Sequence, residues 1–251
     1  MDALFSNMPL LALCLSIGLL GGIIKGMVGF ALPTILMSGL GSLVAPELAL
    51  AGLILPAFVS NGIQALQQGP RAAMASVTRF RVFLLAGLAA MLISSQMVAV
   101  LPVEVLLFAI GAPITVFSVV QLKGWQPRMT PSRRVEVGVG SFAGLIGGMS
   151  GIWGPPTVAY LTALGTEKSD QIRVQGVIYG LGALALMGAH IGSGILNAQT
   201  IWFSALMVVP AVLGMWIGGL FHDRIDQAAF RKATLIVLLV AGLNLLRRAL
   251  L

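Results

Sequence analysis

Two short stretches hold the residues best suited to chemistry. The first reads Gly21-Gly22-Ile23-Ile24-Lys25-Gly26-Met27-Val28-Gly29-Phe30-Ala31-Leu32-Pro33, the second Gly147-Gly148-Met149-Ser150-Gly151-Ile152-Trp153-Gly154-Pro155-Pro156. Proline lacks a backbone donor and clashes with the preceding turn, so Gly and Pro clustered together make a continuous helix costly. An interrupted helix exposes free N–H groups at the positive end of its dipole, which suits an anion. Lys25 is the only Lys or Arg clearly inside an apolar stretch. A charge at membrane depth costs about 2.5–3.5 kcal/mol, so Lys25 should face a cavity or meet an anion, unless it snorkels to an interface. Phe30 and Trp153, one in each stretch, are placed either to stack on the organic part of a solute or, for Trp, to anchor at an interface.

Further polar residues lie on the long apolar runs that follow. Asn61, Gln64 and Gln68 stand at i, i+3 and i+7 and share one helical face. That face can hydrogen-bond oxyanion oxygens or a neighbouring helix, and Gln67 and Gln68 suit an interface. In the second half, Gln175 and Tyr179 are one turn apart, Arg173 begins the run as a loop charge, and His190 lies near its far end. Histidine can carry a coupling proton, although a packed, hydrogen-bonded histidine is commoner. Gly148-Met149-Ser150-Gly151 with His190 also imitates an intramembrane serine protease. That chemistry needs Ser150 within about 3 Å of His190 and an oxyanion hole. Against it, the first stretch has Lys25 in the place of Ser150, and Pro155-Pro156 breaks the helix that would carry the serine. An enzyme is not expected, and neither a cofactor nor a metal site is called for, since the two histidines are far apart and the acids lie in loops.

The elements that must position these residues are membrane helices. The chain of 251 residues is 58% hydrophobic and 9% charged, against about 25% charged in soluble domains. Lipid is therefore the expected solvent. Its length allows about eight to ten membrane segments. The net charge of +7 comes from basic residues in short loops, which read as topology signals and exclude a nucleic-acid partner. Apolar runs cover 8–24, 30–45, 48–66, 82–101, 103–122, 135–147, 157–164, 172–196, 201–220 and 233–246, with Lys25 to Gly29 expected to interrupt the first. Met8 onward reads as a true first span, since no basic region precedes it. The single cysteine, Cys14, provides no disulfide framework.

The chain is expected to be two copies of one helical unit. Gly22, Gly26 and Gly29 recur as Gly147, Gly151 and Gly154, an offset of 125 that Leu20/Leu145 and Leu36/Leu161 keep. Repeat one spans 1–124, a cytoplasmic linker 125–134, and repeat two 135–251. Arg71, Arg79 and Arg81 form one basic loop, and Lys123, Arg128, Arg133 and Arg134 mark the linker region; both belong in the cytoplasm. The second-half counterpart of the first loop, near 192–200, is uncharged, whereas 222–232 is basic. That pattern predicts inverted copies, each opening with a broken helix, although Arg247 and Arg248 run against it.

Gly21-Gly22…Gly26…Gly29…Pro33, repeated as Gly147-Gly148…Gly151…Gly154-Pro155-Pro156, resembles the signature of the TauE/SafE family of sulfite exporters and toluenesulfonate-type uptake permeases. The resemblance covers nearly the whole chain and departs from the family pattern at Lys25 and Phe30. It implies an all-α, multi-pass permease of the cell inner membrane for a small sulfur-containing anion, sulfonate or sulfite. With the absence of a P-loop, it points to secondary transport, with an anion channel as the alternative. Solute is expected near mid-membrane between the two broken segments, touching Lys25, Gly26, Gly29, Phe30, Asn61, Gln64, Ser150, Gly151, Trp153, Gly154, Gln175 and Tyr179, with His190 as the candidate proton coupler. Solute and bilayer are the expected partners, and a homodimer is compatible with the sequence.

Overall fold

The computed structural model describes residues 6–95, 102–125, 129–150, 154–192 and 194–250. All secondary structure among them is helical: α1 (Met8–Val28), α2 (Leu32–Leu40), α3 (Pro46–Leu66), α4 (Pro70–Arg79), α5 (Arg81–Ser95), α6 (Val103–Leu122), α7 (Arg133–Ser150), α8 (Gly154–Ala163), α9 (Lys168–Gly192), α10 (Ile201–Arg224) and α11 (Gln227–Leu250). Much of the proline that looks like helix-breaking sequence begins helices instead. Pro46 and Pro70 open α3 and α4, and Pro155-Pro156 fall in the first turn of α8, where a missing N–H would have had no intrahelical partner. α1 starts with Pro in its first turn and Asn7 as cap, whose side chain accepts the Leu10 N–H at 3.2 Å.

Five of these helices are long and apolar enough to cross a membrane, or six if α4 and α5, bent by 71°, form one span. The eight to ten segments expected from hydropathy also include short arms such as α2 and α8. The starts of α1, α3, α5 and α6, at 8, 46, 81 and 103, precede those of α7, α9, α10 and α11, at 133, 168, 201 and 227, by 120 to 125 positions.

The chain packs as two compact units, Met1–Ala73 with Ile172–Asp226, and Met74–Gln171 with Gln227–Leu251. Each unit therefore takes helices from both sequence halves. In the first, α1 lies along α10 in a glycine seam: a Cβ at Gly22 or Gly26 would collide with the Ala211 or Met215 carbonyl, and one at Gly214 or Gly218 with the Leu19 or Ile23 carbonyl. Such contact lets backbones approach where lipid offers no hydrophobic drive to associate. Leu32, Leu36 and Leu40 of α2 pack with Phe203, Met207 and Leu53 to form the core beside this seam.

In the second unit, α7 lies along α5 in an equivalent seam, with Gly140 and Gly144 against the Phe83 and Gly87 carbonyls. α6 and α11 meet at Gly111 and Gly242. α1 thus packs on α10, the helix after α9, and α7 packs on α5, the second helix after α3. Near the seam, Arg79 donates to Glu136 at 2.5 Å, and Phe83 stacks on Tyr160 with ring centroids 5.8 Å apart.

Candidate functional site

The first break falls later than the sequence suggests. α1 continues without interruption through Lys25, Gly26 and Met27 to Val28, and the chain leaves helical geometry only at 29–31. Gly26 does not break the helix because its missing side chain is what lets α10 approach. Gly29 ends α1 in the left-handed conformation, φ 88°, and returns its N–H to the Lys25 carbonyl at 2.7 Å. Ala31, also left-handed at φ 78°, precedes α2. For a residue with a Cβ that conformation costs about 1–2 kcal/mol, so the surrounding packing must hold the break in place.

Around this break the first unit buries a polar cluster. Lys25 is 1% exposed, and its Nζ donates to Oδ1 of Asn61 on α3 at 2.5 Å. One turn along α3, Gln64 Nε2 donates to the Lys25 carbonyl oxygen at 3.4 Å. From α9, Gln175 is fully buried and lies against Gly29, its Oε1 occupying the place a Cβ on Gly29 would need. Gly176 gives α9 this reach, since a side chain there would collide with the backbone of Ala65. Ser60 and Phe30 are buried as well.

The electrostatics of the cluster are unbalanced. Among the described residues no carboxylate pairs with Lys25; the Arg79–Glu136 ion pair belongs to the other unit. Gln64 Oε1 and both polar ends of the Gln175 amide are buried without a hydrogen-bond partner among the described residues. A buried ammonium without a counter-ion costs several kcal/mol, and each unsatisfied buried polar group about 1–3 kcal/mol. The arrangement offers an anion a charge, an amide donor on Gln175 and the first turn of α2.

Of the residues singled out in the sequence, Lys25, Gly29, Asn61, Gln64 and Gln175 therefore come together. Tyr179 is buried one turn further along α9. His190 lies in the last turn of α9, fifteen positions and roughly 22 Å beyond Gln175. Arg173 donates to Gln68, and Gln67 and Gln68 are exposed at the end of α3. In the second unit, Ser150 closes α7 and Gly154 opens α8; the Ser150 side chain and residues Gly151 and Trp153 lie outside the described residues. Ser60 and His222, whose Nδ1 is 3.3 Å from the Met27 carbonyl oxygen, were not indicated by the sequence. The place of His222 at the end of α10 depends on the long-range α1–α10 seam, which no local pattern announces.

The family model described as sulfite exporter TauE/SafE matches residues 14–245, from the first turns of α1 almost to the end of α11. The chain belongs to the TauE/SafE family. No curated protein and no solved structure matches it. As a TauE/SafE member with several long apolar helices it is a multi-pass membrane protein of a transporter family.

Proposed function

We propose that this TauE/SafE protein is a secondary permease of the cell inner membrane for sulfur-containing anions, organosulfonate or sulfite, and that the break between α1 and α2 is where solute binds. The observation that carries this reading is the buried Lys25 ammonium, held by an amide rather than a carboxylate. An anion beside it would supply the missing counter-charge, and its oxygens could accept from Lys25, from Gln175 Nε2 and from free N–H groups at the start of α2. Phe30 borders the break and would contact an organic portion. In the second copy, Ser150, Gly151, Trp153 and Gly154 would serve the transport cycle as the corresponding break, and Tyr179 and His190 would contribute from α9.

We further read the two copies as inverted, on the basic loops of the sequence and the reciprocal glycine seams. Inverted halves with broken helices suit alternating access, in which one bundle moves against another. The test is a thermal-shift series on purified protein with sulfite, sulfate, aryl and alkyl sulfonates and carboxylates, followed by flux into proteoliposomes. Stabilisation by sulfite or a sulfonate, with flux of the same solute, is expected. Stabilisation by none of the anions would overturn the proposal.

A further inference from the structure

Resting on that reading, we propose that the α1–α2 break selects solutes by charge number, accepting anions of charge −1 (sulfonates, and sulfite as its hydrogensulfite form) and excluding dianions. Protonated, Lys25 supplies one positive charge, and the buried side chains gathered with it at the break, Asn61, Gln64 and Gln175, are neutral. The helix ends add little net charge. The break of 29–31 joins the negative C-terminal end of α1 to the positive N-terminal end of α2, and half-charges of opposite sign, roughly 0.5 each, meet there and cancel. What remains of α2 is directional donors rather than charge.

The other charged side chains among the described residues of this unit do not alter the balance. Glu47, Arg71, Asp223, Arg224 and Asp226 are exposed. Arg173 is engaged with Gln68, His222 is set against the Met27 carbonyl, and His190 lies at the far end of α9. With a monoanion bound, the cluster is neutral. A dianion would leave one net negative charge among groups closed off from solvent, with no second cation to meet it.

The experiment compares ligands of similar shape and different charge on the full-length protein in neutral detergent: methanesulfonate against sulfate, and ethanesulfonate against 1,2-ethanedisulfonate, by calorimetry and thermal shift. The monoanion of each pair is expected to bind at least about tenfold more tightly. A Gln175→Lys variant, carrying a second cation, is expected to move the preference towards sulfate. Equal or tighter binding of the dianions to the unmodified protein would overturn charge selection while leaving the anion site standing. Binding of none of the four would remove the site and the selection together. A folded Gln175→Lys protein with unchanged preference would also count against the proposal; if that variant does not fold, the two ligand pairs on the unmodified protein decide.

Discussion

Lys25 Nζ lies 2.5 Å from Asn61 Oδ1, and both side chains are closed off from the surface. On the reading proposed above, this cation, held by a neutral amide, is where the anion binds. Replacing Lys25 with Met should weaken sulfite or sulfonate binding by about 10–100-fold, the value of one charge-assisted hydrogen bond. The ligand-free melting temperature should hold, because a desolvated charge is lost along with the contact. Calorimetry and melting curves measured side by side check this; a folded Lys25→Met protein that transports normally would remove Lys25 from the mechanism.

Gly29 and Ala31 share a left-handed backbone but should respond oppositely to substitution. Gly29→Ala puts a Cβ onto Gln175 Oε1 and strains the backbone, so a loss of about 1–2 kcal/mol is expected, together with weaker anion binding. Ala31→Gly relieves the strain and should leave stability equal or higher by up to about 1 kcal/mol. Unfolding curves in detergent distinguish the two; equal effects would mean the break is held by something other than its φ angles.

The ion pair in the second unit should show an asymmetric cost. The Arg79 side chain is 48% exposed and that of Glu136 7%. Arg79→Ala strands a buried carboxylate and should cost about 2 kcal/mol, whereas Glu136→Gln leaves Arg79 access to water and should cost less. The relative yields and melting temperatures of the two variants report the order, and the reverse order would place the buried end of the pair on Arg79.

Topology can be read from added cysteines in a Cys14→Ala background. If the halves are inverted, Asn197→Cys and Arg247→Cys should react with an impermeant maleimide from outside intact cells, and Lys123→Cys and Lys232→Cys only after permeabilisation. Labelling of Arg247→Cys from the cytoplasmic side alone would give the second half a different crossing number and end the inverted arrangement.

The glycine contacts were legible in the sequence because their marks are chemical. Where two helix backbones touch, only Gly fits, so Gly22 and Gly26 had to appear whatever else varied. The same glycines misplaced the break by about one turn: Gly26 reads as a breaker in isolation and acts as a contact surface once α10 lies against it. Asn61 and Gln64 were legible as a pair through their i, i+3 spacing. That Gln175 would close on Gly29, more than a hundred residues away, was not, since nothing local to either residue encodes the approach of α9. The Arg79–Glu136 pair was hidden for the same reason, its members being fifty-seven positions apart.

The exchange of helices between halves has a consequence for biogenesis. When a ribosome has made residue 124, α1 is in place without α10, and α5 without α7. Both glycine seams then face lipid with no partner, and neither unit can close until α10 and α11 have been made. The opening helices must therefore wait in the bilayer as separate spans, and insertion and assembly become distinct steps in time. The first half synthesised alone should accordingly be degraded, and recovered when the second half is supplied as a separate chain.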